Sequence, residues 1–272
     1  MKITIIGAGN MGGAIARALV NFPKNGEPVR QQSAESGLSP SDITCTARST
    51  DTLQKFAAAG FNVTTDNREA VDGADMVIFA VKPWLMEEVV RGVAPFMDLG
   101  GQTIVSVAAG VSFAQLYEWL GTSSAALFRV IPNTAIEIGS GVTFISSCNA
   151  SPDRRSIILE MFSRMGYALE VEEDMMAAGT ALASCGIAYA MKYIQSSAAG
   201  GEALGFTSGQ AQKIVEYTVK GAAELLLATG NPPQTEIDKV TTPGGMTQKG
   251  LVAMEEAGFA SVVSEGLMAS LK

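Results

Sequence analysis

Three glycines near the start of the chain have the spacing of a phosphate-binding turn. Gly7, Gly9 and Gly12 follow a β-branched stretch at residues 2–6 and precede helical apolar spacing. Gly7 permits a tight turn, Gly9 a close approach of the main chain to a pyrophosphate, and Gly12 close helix–strand packing. The N-terminus of the following helix attracts the anion. The pattern predicts a dinucleotide site, although a glycine loop that binds nothing has the same spacing. The predicted residues are Gly7, Gly9, Asn10, Met11 and Gly12.

A basic residue follows the second predicted strand, residues 43–47. An NAD-binding fold normally has an acidic residue there for the ribose 2′-hydroxyl. This chain has Arg48, Ser49 and Thr50 instead. A guanidinium with two hydroxyls suits a 2′-phosphate, because it combines positive charge with hydrogen-bond donors. We therefore expect NADP, with NADPH preferred and NADH possible, and with Arg48 and Ser49 as contacts. A solvated surface arginine is the alternative.

The segment VTTPGGMTQKG, residues 240–250, is a second candidate for anion binding. Pro243 stiffens the turn, the two glycines after it tolerate positive φ, and a helix follows. Consecutive N–H groups at such a turn and helix start form a nest for a carboxylate. An ordinary helix–helix turn with Thr247 as N-cap explains the same pattern. The predicted substrate-binding residues are Thr242, Gly244, Gly245, Met246 and Thr247.

The composition excludes several kinds of chemistry. The 272 residues include no histidine, which rules out a Ser-His-Asp or Cys-His pair and a histidine zinc site. The three cysteines lack C-x-x-C spacing, so no metal site is predicted, and their odd number fits a reducing cytoplasm. A net charge of −8 argues against nucleic acid as a partner. We expect no signal peptide, since Lys2 is followed by a predicted strand and a glycine turn rather than a long apolar run. We expect no membrane span, since the apolar run at residues 175–191 is rich in small residues.

Alternating strands and helices predict an α/β fold with an N-terminal Rossmann-like dinucleotide-binding domain, residues 1–171. Small-residue-rich helices then predict an all-α dimerisation domain, residues 172–272, that packs against a second subunit. Residues 22–42 resemble a long inserted surface loop. The predicted strands are residues 2–6, 43–47, 61–64, 75–81, 103–108, 126–131, 142–146 and 167–171. The predicted helices begin at residue 11 and near residue 84, span 52–59, 68–72, 152–165, 175–200, 208–229 and 247–257, and end with a short C-terminal helix.

Motifs along nearly the whole chain resemble the Δ1-pyrroline-5-carboxylate reductase family, whose members catalyse the last step of proline biosynthesis. The segment VTTPGG, followed by Thr247, is the most specific of them. The matching motifs are GAGNMG at 7–12, Asn67 with Glu69, AVKP at 80–83, SVAAGVS at 106–112, RVIPNT at 129–134 and VTTPGG at 240–245.

The resemblance implies a site for NADPH and for a cyclic imine that bears a carboxylate. The amides of Gly245 and Met246 would bind the carboxylate with help from Thr242. The hydroxyl of Thr247 would be the catalytic donor near the ring nitrogen, and Asn67 would contact the cofactor ribose. The residues implied on the nicotinamide side are Ala80, Val81, Lys82, Pro83 and residues 108–110, which include Ala108 and Gly110. The family also implies a homodimer or a larger assembly of dimers.

Departures from the family pattern keep other functions open. The family's S-G-S-G-P-A-Y is ASCGIAY here, at residues 183–189, and an acidic residue common later in that helix is replaced around Ala199. The family's Asn-Thr-Pro ends in Ala135. The alternatives are another NADP-dependent imine or β-hydroxyacid reductase, for which Lys192 is the candidate base, and an NADPH-binding homologue without catalytic activity.

Overall fold

A computed structural model describes residues 1–21 and 38–271, and the first part of the chain forms an eight-stranded sheet. The strands are β1 Ile3–Ile6, β2 Ile43–Thr46, β3 Asn62–Thr64, β4 Met76–Phe79, β5 Thr103–Ser106, β6 Ala126–Pro132, β7 Gly141–Cys148 and β8 Gly166–Glu170. Their order is β3-β2-β1-β4-β5-β6-β7-β8, and only β6 and β7 pair antiparallel. The chain progresses in opposite directions from β1, so the switch point of the sheet lies between β1 and β4.

Helices cover both faces of this sheet. The helices of this part are α1 Asn10–Asn21, α2 Thr50–Ala58, α3 Asn67–Val71, α4 Met86–Val93, α5 Phe113–Leu120, α6 Pro152–Ser163 and α7 Met176–Gly179. On one face Ile5 and Ile78 pack with α1, α2 and α6. On the other face Val77 and Phe79 pack with α3, α4 and α5. Because β4 is buried on both faces, its sequence is a continuous apolar run rather than an alternation.

A partly buried ion pair connects β6 with the segment before α7. Arg129 is 8% exposed, and its Nη1 donates to Glu173 Oε1 at 2.8 Å. The same carboxylate oxygen accepts from the main-chain N–H of Phe113 at 2.8 Å. Glu173 therefore neutralises a buried cation and also satisfies the first amide of α5.

Replacing Glu173 with alanine should destabilise this part of the protein. The change leaves the Arg129 guanidinium buried without a counter-ion and the Phe113 amide without its acceptor. Since Glu173 is partly solvent-exposed, we expect a loss of about 2 kcal/mol in the free energy of unfolding, visible as a lower Tm. Glu172→Ala is the control, because it removes a neighbouring exposed carboxylate that caps nothing. Equal Tm values for the two variants would contradict the assignment.

The second compact unit, Cys185–Lys272, is entirely helical within its described residues. Its helices are α8 Gly186–Ala203, α9 Ser208–Thr229, α10 Pro233–Val240, α11 Met246–Glu256 and α12 Phe259–Ala269. The first two approach closely, because a Cβ at Gly201 would lie 2.9 Å from that of Ala211. The Tyr189 hydroxyl connects α8 to α12 through Gly266 O and Ser270 Oγ.

Very little of this helical unit is buried. Among residues 185–271, Ala211 is the only buried one, and large apolar side chains such as Leu204 and Leu227 are 83% and 85% exposed. A helical unit needs an apolar core to offset its conformational entropy, so these faces require a partner surface. This agrees with the prediction of packing against a second subunit. In the described parts of the chain, no helix combines the length and the hydropathy that a membrane span needs.

The predicted fold class is confirmed, with several differences in detail. Every predicted strand is present, but α5 and α10 were not predicted. The single helix predicted at 175–200 is instead α7, a π-helical turn at Thr180–Cys185, and α8. The first compact unit ends at Ser184, later than the predicted boundary after residue 171. Most of the predicted loop, residues 22–37, lies outside the described residues, and Pro40–Asp42 forms a 3₁₀ turn.

Candidate active site

Two of the three glycines after β1 are required by the fold itself. Gly7 has a φ of +97°, and its amide and that of Ala8 donate to the Thr46 carbonyl at 3.1 and 2.7 Å. A Cβ at Gly12 would overlap the Gly7 carbonyl oxygen and lie 2.9 Å from the Ala80 Cβ. Gly7 therefore makes the tight turn, and Gly12 lets α1 approach the ends of β1 and β4.

Gly9 has no such packing role. A Cβ at this position would meet no atom of the described residues within 4 Å, apart from its chain neighbours, and the φ of Gly9 lies outside the left-handed region. The first helical bond of α1 is donated by the Gly13 amide to the Gly9 carbonyl at 2.8 Å. Within the described residues the amides of Asn10, Met11 and Gly12 donate to no acceptor. Open space beside three unused amides at a helix N-terminus fits the pyrophosphate of a dinucleotide.

The candidate ribose and 2′-phosphate contacts lie beyond β2 and β3. Thr46 Oγ1 donates to Asn67 Oδ1 at 2.6 Å, which fixes the Asn67 carboxamide and leaves its amino group available as a donor. Arg48 is exposed and forms no ion pair with any described carboxylate. Ser49 is the N-cap of α2, since its Oγ accepts from the Thr52 amide at 3.4 Å. Its hydroxyl hydrogen is still able to donate to an anion.

The predicted nicotinamide side is assembled from the ends of β4 and β5. These strands are neighbours in the sheet, and β4 also pairs with β1, which carries the glycine turn. Lys82 and Pro83 are exposed after β4, whereas Ala108 is buried and its amide donates to Ser106 Oγ at 3.4 Å. Gly110 is exposed with a φ of +79°. The fold thus brings the predicted cofactor-binding segments together at the carboxyl edge of three adjacent strands.

The segment that departs from the family pattern, residues 183–189, begins inside the π-helical turn. Ser184 Oγ donates to the Pro132 carbonyl at 3.3 Å, and Asn133 Nδ2 donates to the Ala183 carbonyl at 3.5 Å. These two hydrogen bonds connect the π-helical turn to the carboxyl end of β6. Single-turn π-bulges occur frequently at functional sites.

The glycine turn before α11 uses part of its own hydrogen-bonding capacity. Gly244 has a φ of +72°, and its amide donates to Gln248 Oε1 at 2.6 Å. The Gly245 amide donates to the Thr242 carbonyl at 2.9 Å, and a Cβ at Gly245 would overlap Thr242 Oγ1. Of the two amides predicted to bind the carboxylate, those of Gly245 and Met246, the first is therefore already hydrogen-bonded, and so is the amide of Gly244.

The free donors of this turn belong to the first residues of α11. The helix begins at Met246 with Gly245 as N-cap, so the alternative in which Thr247 is the N-cap is wrong. The first helical bond is donated by Lys249 to the Gly245 carbonyl at 3.2 Å. Among the described residues, the amides of Met246 and Thr247 reach no acceptor, and the Met246 side chain is 91% exposed. Gln248 was missed from the sequence, although glutamine at the third helical position is a known capping signal.

Of the three cysteines, Cys45 is buried too deeply to act as a nucleophile. All three are free, and burial raises the pKa of the Cys45 thiol to about 12. A thiol with that pKa stays protonated near neutral pH and is unreactive. The described residues also contain no cluster of three or more side chains that could hold a metal ion.

Two family models match separate parts of the chain. The model described as "NADP oxidoreductase coenzyme F420-dependent" matches residues 2–110. The model described as "Pyrroline-5-carboxylate reductase dimerisation" matches residues 173–272. The first covers the glycine turn and the nicotinamide-side segments, and the second covers the sparsely buried helical unit and the turn before α11.

Relatives that match nearly the whole of this chain are pyrroline-5-carboxylate reductases. Pyrroline-5-carboxylate reductase of Arabidopsis thaliana is 32% identical over 274 residues, covering 100% of this chain and 93% of its own length. Pyrroline-5-carboxylate reductase 1 of Dictyostelium discoideum is 31% identical, and the match covers 98% of this chain. This chain spans only about half, 48%, of the length of that relative. The crystal structure of Plasmodium falciparum pyrroline carboxylate reductase with NADP bound superposes with a TM-score of 0.86 at 25% identity, covering 100% of this chain and 95% of that one.

Proposed function

Because the chain belongs to the pyrroline-5-carboxylate reductase family, we infer that it reduces the C=N bond of 1-pyrroline-5-carboxylate to give L-proline, with NADPH as the reductant. The observation that carries this function is the set of three unused amides at the start of α1, beside the open space at Gly9. The test is a spectrophotometric assay that follows the loss of NADPH with the pyrroline as substrate and is repeated with NADH. No pyrroline-dependent loss of either cofactor would contradict the function.

The first compact unit supplies the groups that hold the cofactor. The amides of Asn10, Met11 and Gly12 bind the pyrophosphate, Asn67 binds the ribose, and Arg48 with Ser49 binds the 2′-phosphate. When bound there, NADPH supplies the hydride. Ala80 to Pro83 and Ala108 to Gly110 bound the nicotinamide side.

The second unit supplies the groups that hold the imine. The amides of Met246 and Thr247 bind the substrate carboxylate, and Thr242 and the two glycines shape the turn. A protonated imine is already electrophilic at carbon, so the reaction needs positioning more than acid catalysis. The Thr247 hydroxyl donates a hydrogen bond to the ring nitrogen of the neutral imine or accepts one from the N–H of the protonated imine, and we assign it a positioning role, because an unassisted hydroxyl is a poor acid near neutral pH. This mechanism suits a chain without histidine.

Arg48→Ala should weaken the binding of NADPH but not of NADH. One charge-assisted hydrogen bond contributes about 1.5–3 kcal/mol, so the Kd for NADPH should rise about ten- to hundredfold. Fluorescence titration of both cofactors measures the two constants. Lys55→Ala is the control, since it removes a positive charge from α2 at another exposed position. Equal losses for NADPH and NADH would remove Arg48 from the 2′-phosphate site.

Thr247→Ala should lower kcat or raise the KM for the imine without changing NADPH affinity. The loss of one neutral hydrogen bond predicts a decrease of about two- to tenfold in kcat/KM. Steady-state kinetics and an NADPH titration separate the two effects. Thr235→Ala is the control, because Thr235 is an exposed threonine in the first turn of α10. Unchanged kinetics would remove Thr247 from the site.

The alternative functions are not favoured. A β-hydroxyacid reductase would need Lys192 as its base, but Lys192 is exposed and its Nζ donates to Gln195 Oε1 at 2.9 Å. A non-catalytic NADPH-binding homologue would bind the cofactor and leave it unoxidised in the assay above.

Surface properties of the chain support the partners and the location that we propose. The exposed apolar faces of the helical unit support a homodimer or a larger assembly of dimers, which light scattering of the eluting enzyme would measure. The small-molecule partner is the cyclic imine carboxylate. The net charge of −8 supports the proposal that neither nucleic acid nor a membrane surface is a partner. The three free cysteines support a cytoplasmic location.

A further inference from the structure

The side chain of Gln248 lies directly against the turn to which the proposed function assigns the substrate carboxylate. Its Oε1 accepts a hydrogen bond from the Gly244 amide at 2.6 Å. Gly244 lies in the left-handed region and carries no side chain, so the carboxamide can approach the turn closely. Gln248 is the third residue of α11, from which side chains reach back to the residues before a helix.

The bond to Gly244 also fixes the orientation of the other half of the carboxamide. A carboxamide is planar, so anchoring Oε1 limits the directions in which Nε2 can point. Gln248 is exposed, and among the described residues its Nε2 donates to no acceptor. The turn therefore has an anchored NH₂ group with two unused hydrogens next to the free amides of Met246 and Thr247.

The identity of this residue suits an anionic ligand. Glutamate is equally common at the third helical position and would accept from Gly244 as well, with the added attraction of its charge for the helix N-terminus. A carboxylate there would repel a bound carboxylate, in a protein whose net charge is already −8. Glutamine keeps the bond to Gly244, adds a donor and avoids the repulsion.

We propose that Gln248 is a substrate-binding and specificity-determining residue, which orders the turn through Oε1 and donates from Nε2 to the carboxylate of the imine. This inference rests on the proposed function. It assigns the carboxylate three groups of donors: the Met246 amide, the Thr247 amide and the Gln248 amino group. The Gly244 amide acts only through Gln248.

The test is Gln248→Glu, which keeps an oxygen for Gly244 and replaces the donor with an anion. The KM for 1-pyrroline-5-carboxylate should rise about 10- to 100-fold, while kcat/KM for 1-pyrroline, which lacks the carboxylate, stays within about twofold. Gln210→Glu is a matched control, because Gln210 is the third residue of α9 and its Oε1 accepts from the Thr207 amide at 3.1 Å. The control should change neither constant, and the Tm of both variants should match that of the parent enzyme.

Three outcomes would overturn the inference. The first is an unchanged KM for the carboxylate substrate in Gln248→Glu. The second is an equal loss on both substrates, which would mean that the turn itself is disturbed. The third is a lower KM in Gln248→Leu, which would mean that the side chain competes with the substrate. Failure of the proposed function is distinct, since the parent enzyme would then oxidise no NADPH with 1-pyrroline-5-carboxylate.

Discussion

Gly9→Val should abolish NADPH binding while the protein still folds. The valine Cβ would lie more than 4 Å from the other residues that the structure describes, apart from its two chain neighbours, and the φ of Gly9 lies outside the left-handed region, so we expect the fold to tolerate it. We propose that the pyrophosphate occupies the same space, beside the amides of Asn10, Met11 and Gly12. Losing three charge-assisted hydrogen bonds of about 1.5 kcal/mol or more each predicts a Kd at least about a thousandfold higher.

Two companion variants make this result interpretable. Gly100→Val is the control for adding a valine, because Gly100 lies before β5 at the amino edge of the sheet and its added Cβ would meet nothing closer than 3.7 Å. Gly12→Val should instead reduce the Tm strongly, since its Cβ would overlap the Gly7 carbonyl. Isothermal titration with NADPH and thermal melts measure both properties. Near-normal NADPH affinity in folded Gly9→Val would show that the pyrophosphate does not bind at this turn.

Removing the carboxylate from the substrate should have the second largest effect. Two amide donors at the start of α11 contribute about 1.5–3 kcal/mol each to an anion, so kcat/KM for 1-pyrroline should be roughly 10²- to 10⁴-fold lower than for 1-pyrroline-5-carboxylate. The loss should be mainly in KM if the turn holds the ground state and the transition state equally.

The comparison requires one enzyme preparation, saturating NADPH and both imines. NADPH affinity measured without an imine serves as the control, because it does not depend on the substrate carboxylate. Equal efficiency on the two imines would exclude the turn before α11 as a carboxylate site and would leave the cofactor assignment intact.

The sequence predicted the local geometry of the glycine turn after β1 better than the hydrogen bonds of the turn before α11. Gly7 and Gly12 are required by local geometry, a tight turn and a close helix approach, and such requirements are readable from residue types. In the turn before α11, several acceptors compete for the same main-chain N–H groups. Gly244 could have offered its amide to a ligand, but Gln248 accepts it. Residue spacing alone does not decide between those partners.

The missed elements of the fold have similar causes. Ser112 and Gln115 form a capping box before α5, a signal that could have predicted this short helix. The π-helical turn at Thr180–Cys185 depends on the register of main-chain hydrogen bonds, and apolar spacing does not report that register. The position of β4 was predicted well, because burial on both faces of the sheet requires a continuous apolar run in the sequence.

Because so few residues of the helical unit are buried, we expect the stability of the protein to depend on its concentration. With Ala211 as the only buried residue among 185–271, separating the subunits and melting these helices become a single event. Dilution should then unfold the helical unit, and the Tm should rise with protein concentration. The turn to which we assign the imine carboxylate lies in this unit, so we expect the activity per molecule to fall as the helices melt.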